Sequence, residues 1–306
     1  MASATAHERL VGGAVAHNAP GRANFIGAVR SEFTKIRSVR STYWTLLAMF
    51  IVCVGIGALF AWGQTERLSS IAGGTTLKGH PIPSGAQHSF LAAREAEIRA
   101  AATSISLFGL LFGQLVIVVL GALTITSEYS TGMIRTSLST MPRRGTWFAA
   151  KGVVFGLVAL VTGLVTSFTA FFVGQAILSS WHVNTTLGDH NVLRSVIGGG
   201  LYLAVCGLMS FGIGAMLRHS AGAISAGISL LFVVLLLSNF LPGPPSGWFG
   251  QTDIDKWIPF FAGSHLWQNQ LLGVNPFSPW VGFGVFCAYA AAAITGGLVL
   301  FLRRDA

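Results

Sequence analysis

Charge is scarce in this 306-residue chain. Asp, Glu, Lys and Arg make up 9% of it, against roughly 25% in an ordinary soluble protein. A chain this poor in charge cannot coat a water-facing surface, so its main solvent is expected to be lipid. Cysteine is scarcer still. Cys53, Cys206 and Cys287 each fall in a different apolar run, which excludes a disulfide framework and any Cys-based metal site and leaves them as small packing residues. There is no Gly-Lys dipeptide. A phosphate-cradling P-loop needs one, so the chain cannot be its own ATPase of that kind. No His-Glu-x-x-His run occurs either. The nearest approach to a serine-nucleophile elbow, AISAG at 223–227, has Ala where Gly is required and lies inside an apolar run. No acidic residue stands in the middle of such a run, which leaves a proton- or sodium-coupled carrier little to work with.

What is abundant is apolar length. Hydrophobic residues make up 52% and the mean hydropathy is +0.66. A crossing helix needs about 20 apolar residues for a ~30 Å hydrocarbon core. Six runs qualify: 43–62, 104–125, 152–178, 194–217, 220–241 and 279–302. The expected fold is therefore all-α, a polytopic membrane protein with six transmembrane helices. It divides into a polar tail at 1–21, expected to be disordered, an amphipathic helix at 22–42 and a six-span domain at 43–306. The first 42 residues hold no apolar core, so no secretory signal is expected.

The net charge of +9 follows from topology. With a cytoplasmic N-terminus, the inner segments hold 13 Lys/Arg and four acids, and the outer segments hold six of each. This positive-inside bias places both termini in the cytoplasm. The cations are scattered at run borders rather than clustered with aromatic platforms, which argues against a nucleic-acid partner.

Between the runs lie shorter elements. Phe25, Ile26, Val29, Phe33 and Ile36 recur at helical spacing before the first run, as in a basic helix lying on the inner leaflet. Tyr43-Trp44 reads as an interface anchor. After the turn-rich HPIPSG, the outer segment from about Ser89 becomes helical, with Glu95 and Arg99 four apart, and is expected to run unbroken into the second span. Arg218-His219-Ser220 allows only a tight hairpin between the fourth and fifth spans. The last outer segment, 242–278, is broken by PGPPSGWFG and rich in aromatics, as in short helices dipping into the outer leaflet.

The most informative stretch is TSEYSTGMIRTSLSTMPRRGTWFAAK, 126–151. Thr126 or Ser127 is expected to cap a helix, with Glu128 in its first turn. Ile134, Leu138 and Met141 share a face, Pro142 stops the helix, and Trp147 and Phe148 anchor the next span at the interface. The element reads as a short amphipathic helix held at both ends, on which a partner protein could dock.

Three stretches resemble those of type-2 ATP-binding-cassette exporter permeases. SEFTKIRSVRSTYWTL (31–46) is similar to their membrane-entry signature, ITSEYSTGMIRTSLSTMPRRGTWFAAK (125–151) to their loop between spans two and three, and KWIPFFAGSHLW (256–267) to a segment before their last span. The last is richer in Trp and Phe than the commoner polar form. The Ala/Gly- and Arg-rich style is similar to that of actinobacterial members. The resemblance implies a bacterial plasma-membrane permease subunit, working as a homodimer with two copies of a separate ATPase that holds the ATP and Mg, while this chain binds no cofactor. It implies that 22–42 is a connecting helix, with Glu32, Lys35 and Arg37, and that 126–151 carries a coupling helix. The residues that would meet the ATPase or transmit its motion are Glu128, Tyr129, Gly132, Arg135, Arg143 and Arg144. Gly132 would permit close backbone approach.

The remaining candidates are thin. Gln114, Gln175 and Asn239 are polar groups at span positions, suited to interhelical hydrogen bonds or to a substrate path. Gly109/Gly113 and Gly152/Gly156 suit close helix contacts, within the chain or with a second copy. His182, His190 and Asp189 are too few and too loosely placed for a metal site. The scarcity of intramembrane charge suits export of a hydrophobic or amphipathic molecule. A lipid-modifying intramembrane enzyme would need a polar or metal-binding cluster at one membrane face, and none is evident. A non-transporting anchor for a sensor or assembly machine would act without an ATPase.

Overall fold

Backbone N–H and C=O groups find no water in hydrocarbon, so long apolar segments close their hydrogen bonds internally as helices. The computed structural model describes residues 25–73, 76–77, 80–81, 101–140, 143–180, 185–189, 191–234, 236, 255–268 and 277–303. Among them the chain is helical but for short connections and one antiparallel pair, β1 (Thr76–Leu77) and β2 (His80–Pro81). The helices are α1 (Phe25–Ser38), α2 (Arg40–Gly73), α3 (Leu110–Ser130), α4 (Met133–Thr140), α5 (Arg144–Ser179), α6 (Val192–Leu217), α7 (Ser220–Ile228), α8 (Pro259–Ser264) and α9 (Pro279–Arg303). Five are long and apolar enough to cross a membrane: α2 over Arg40–Gln64, α3, α5, α6 and α9. The protein is therefore a multi-pass helical membrane protein.

The expected sixth span, 220–241, is seen only in part. Helix α7 continues as a π-helical turn at Ser229–Val233, giving an apolar helix of 14 residues. Residues 237–241 lie outside the described residues, as do the 1–21 tail, most of the outer segment between α2 and α3, Pro142, His182 and His190.

Helix α6 is the centre of the bundle, packed against α3, α5, α7 and α9. It can be central because its glycines leave room for neighbours. A Cβ at Gly212 would stand 2.5 Å from the carbonyl carbon of Ala293 on α9. Aromatics fill what remains. Tyr202 stacks between Trp267 and Phe286, and Phe148 sits between Phe211 and Phe301. Short α8 is wholly buried and packs on α9. The described part of this aromatic segment, 255–268, is thus packed into the bundle. The hairpin after α6 is tight, with Arg218 at φ +57 and the Gly222 N–H donating to His219 Nδ1 at the start of α7.

Four details differ from the sequence expectations. The helix entering the second span is not continuous: 101–106 is helical, 107–109 is a turn, and α3 starts at Leu110. The reason is a helix crossing, because a Cβ at Gly109 would overlap the carbonyl oxygen of Cys53 on α2, and one at Gly113 would overlap Cys53 Sγ. Thr126 and Ser127 cap nothing. They lie inside α3, where the Thr126 hydroxyl donates to Ala122 O, and α4 begins only at Met133. Trp147 and Phe148 are buried at 2% exposure against Phe301 rather than facing the interface, whereas Tyr43 and Trp44 are exposed. Helix α1 is shorter than 22–42 among the described residues, ending at Ser38 before a break at Val39.

Candidate functional site

Helix α5 has 36 residues, about 54 Å at 1.5 Å per residue, well beyond a ~30 Å hydrocarbon core. A helix of that length extends past the apolar layer. Helix α1 packs against the start of α5, the last turn of α3 lies beside it, and α4 hangs from α3 by a two-residue turn. Gly132 makes that turn, at φ +68, a left-handed conformation costly for residues with a Cβ. Among the described residues nothing lies within 4 Å of where its Cβ would be, so the turn's geometry calls for glycine.

Where these four elements meet, four charges are gathered. Lys151 Nζ of α5 lies 2.8 Å from Glu32 Oε2 of α1 and 2.7 Å from Glu128 Oε1 of α3. Lys35 Nζ of α1 lies 3.0 Å from Glu32 Oε1 and 3.4 Å from Glu128 Oε1. Lys35 also donates to Ser137 Oγ of α4 at 3.3 Å, and the Ser137 hydroxyl donates to Glu128 Oε2 at 3.4 Å. Glu32, Glu128 and Lys151 are buried and Lys35 is half-buried. Two cations against two anions leave the cluster neutral, which is the condition for holding charges out of water.

The protonation states follow. Burial by itself would raise the Glu32 carboxyl, but the charge and hydrogen bond of Lys151, with those of Lys35, outweigh it and hold it below its ordinary 4.5. Burial would lower the Lys35 ammonium, but Glu32 and then Glu128 hold it above its ordinary 10.5. The Glu32 carboxylate and the Lys35 ammonium are therefore both charged at neutral pH, and the cluster ties four helices together through ion pairs and the hydrogen bonds of Ser137. Among the described residues no three His, Cys, Asp or Glu could share a metal ion.

The structure thus brings together Glu32, Lys35 and Glu128 from the sequence candidates. It leaves Arg37, Arg135 and Arg143 exposed and Arg144 half-buried. Tyr129 packs on the core with Arg218 5.1 Å from its ring. On α4, Ile134 is buried and Leu138 packs against the core, so these two members of the foreseen stripe face the bundle, while Met141 lies outside the described residues. On α1 the reverse holds. Ala28 and Glu32 face inward, while Phe25, Ile26 and Phe33 of the expected stripe are exposed.

Two residues of the cluster, Lys151 and Ser137, were not singled out by sequence. A signal existed for the first: Lys151 stands two turns inside a helix that continues apolar for a membrane's width, and a cation so placed calls for a buried partner. Ser137 had none.

The intramembrane amides lie elsewhere. The Tyr202 hydroxyl donates to Gln114 Oε1, joining α6 to α3. Gln175 donates to Ala102 O at 3.3 Å and Ser106 Oγ at 3.0 Å, and accepts from Thr185 N at 2.7 Å. Asn239 lies outside the described residues. Gly152 and Gly156 face Phe211 and Leu208 of α6, so both glycine pairs serve contacts within the chain. Comparison of the chain with known protein families and with curated proteins finds no match.

Proposed function

We propose that this chain is the permease subunit of an ATP-driven exporter, in which α4 is the handle gripped by a separate ATPase. The observation that carries the reading is Lys151 bridging Glu32 and Glu128, with Lys35 tying in Ser137. That cluster joins α1, the end of α3, α4 and the start of α5, so a push on α4 is passed to two long membrane helices rather than absorbed in a loose loop. The outer side of α4 offers exposed Met133 and Arg135 to a partner. The exposed Phe25, Ile26 and Phe33 of α1 suit a helix lying on the inner leaflet. The lack of a P-loop requires the ATP, Mg and hydrolysis to reside in the partner.

In this reading two copies of the chain and two ATPases form the working unit in a bacterial plasma membrane, with both termini cytoplasmic. The cargo is hydrophobic or amphipathic. Co-expression with the ATPase of a neighbouring reading frame and reconstitution in proteoliposomes tests it. The pair should co-purify and cause ATP-dependent efflux of amphipathic dyes. Glu128→Ala should leave expression intact and lower transport per ATP hydrolysed by about tenfold, within the usual range of coupling energies between sites. Wild-type transport by that variant would remove Glu128 from the coupling path. A chain that co-purifies with no ATPase and moves no cargo would be an anchor instead.

A further inference from the structure

Three of the described residues have a left-handed backbone: Gly132, Asn191 and Arg218. Glycine and asparagine accept that conformation readily, and arginine does not. Arg218 stands where a helix commonly closes on glycine. It follows the last residue of α6 at φ +57, with its N–H donating to Gly214 O at 2.9 Å. The backbone is thus held in a conformation disfavoured for a residue with a side chain, which calls for a contact that the side chain makes.

That contact is with Tyr129. The Arg218 guanidinium lies 5.1 Å from the centre of the ring, within the range of a cation–π interaction. The pair extends a close crossing of α3 and α6. One turn earlier on each helix, a Cβ at Gly214 would stand 2.7 Å from Ile125 Cγ2. Tyr129 packs on the core and Arg218 is half-buried, so water only partly screens the contact.

Each partner sits at the root of a turn. Tyr129 O accepts from the Gly132 N–H at 3.3 Å, in the turn from which α4 hangs. Arg218 opens the α6–α7 hairpin, where the Ala223 N–H donates to His219 O at 3.0 Å. The ion cluster draws its four charges from α1, α3 and α5, and none of them lies on α6 or α7. The Tyr129–Arg218 contact therefore joins the base of α4 to the central helix by a separate route.

We propose that Arg218 is a positioning residue: through Tyr129 it ties the α6–α7 hairpin to the root of α4, so that the two turns move together. Its use in carrying motion from an ATPase to α6 rests on the function proposed above, whereas the tie needs only this chain.

Amide exchange of the full chain in micelles tests the tie at Thr131 and Gly132 on one side and at Arg218 and Ala223 on the other, all backbone donors in these turns. Arg218→Gln keeps a Cβ and loses the charge. It should speed exchange at Thr131 and Gly132 about fivefold, the worth of one partly shielded cation–π contact. Tyr129→Leu should do the same at Arg218 and Ala223, and Arg218→Lys should keep most of the protection. Arg218→Gly relieves the left-handed turn and guards against a folding defect. It should still speed exchange at Thr131 and Gly132, with a melting temperature no lower than that of Arg218→Gln. With the ATPase bound, Arg218→Gln should lower transport per ATP hydrolysed about threefold, as residues between two coupled sites can.

Exchange that changes only in the turn carrying the substitution would overturn the proposal, as would wild-type exchange in Arg218→Gln. Unaltered transport per ATP in a variant whose exchange has responded would overturn the positioning role. A chain that recruits no ATPase would remove the proposed function, and the exchange measurement, made on the chain alone, would still decide the tie.

Discussion

Glu32 and Glu128, from the first and third helices, are held to one ammonium: Lys151 Nζ is 2.8 Å from the former and 2.7 Å from the latter. Two carboxylates so close would repel without cations between them. Lys35, half-exposed, bridges the same pair more loosely, so Lys151 is the buried cation that ties α1 to the bundle.

Replacing that lysine should be costly. Removing one member of a buried ion pair typically costs about 3–5 kcal/mol because the remaining charge is stranded. Lys151→Met should lose about 3 kcal/mol in equilibrium unfolding in mixed detergent. Adding Glu128→Gln should restore at least ~1 kcal/mol of it, since one stranded charge is gone. Additive losses in the double variant would show that the two side chains are not energetically coupled.

Acid should undock α1 before alkali does. The Glu32 carboxyl is held below its ordinary 4.5, so its contribution is full above that value and is lost as pH falls beneath it. The Lys35 ammonium is held above 10.5, so its contribution is full below that value and is lost only as pH rises past it. Docking should be flat across neutral pH. Maleimide labelling of Ala28→Cys, a fully buried position on α1, reports it after exposure to each pH and return to neutrality in the presence of the probe. Labelling that rises between pH 6 and 8 would contradict the assignment.

Two glycines of the bundle should respond oppositely to alanine. At Gly109 a Cβ would overlap Cys53 O, so Gly109→Ala must push α2 away and should cost about 2 kcal/mol or more. At Gly55 nothing lies within 4 Å, so Gly55→Ala should be neutral or stabilise by up to ~1 kcal/mol through helix propensity. Thermal melting of the two variants in one detergent gives the comparison.

Gln175 should act as a staple. Gln175→Leu strands the buried Thr185 N–H and releases its hold on Ala102 and Ser106 of the 101–106 helix, at about 1–3 kcal/mol. Amide exchange should accelerate at Thr185 while the middle of α6 stays protected. Unchanged exchange at Thr185 would mean that the hydrogen bond is not formed in solution.

Much of the helix layout was legible because lipid permits few backbone solutions. Five of the six runs free of charge and long enough to cross became α2, α3, α5, α6 and α9, each within about two turns of its expected limits except where α2 runs on to Gly73. The start of α4 was misread because Thr126 and Ser127 look like caps. In a membrane helix a hydroxyl can bond back to the preceding turn instead, as Thr126 does to Ala122. The turn at 107–109 was illegible because it answers a contact with Cys53, on a different helix.

Of the candidate site, sequence pointed to Glu32, Lys35 and Glu128 only through a resemblance, and their meeting point was hidden. By itself the sequence determined that this chain lives in lipid and spans it repeatedly in helices, since composition and run length alone set the solvent and the backbone's options. Only the tertiary structure decided which face of each helix turns inward. It turned Glu32 of α1 inward and left Phe25, Ile26 and Phe33 out, because Lys151, far along the chain, supplies the counter-charge that makes burying Glu32 affordable.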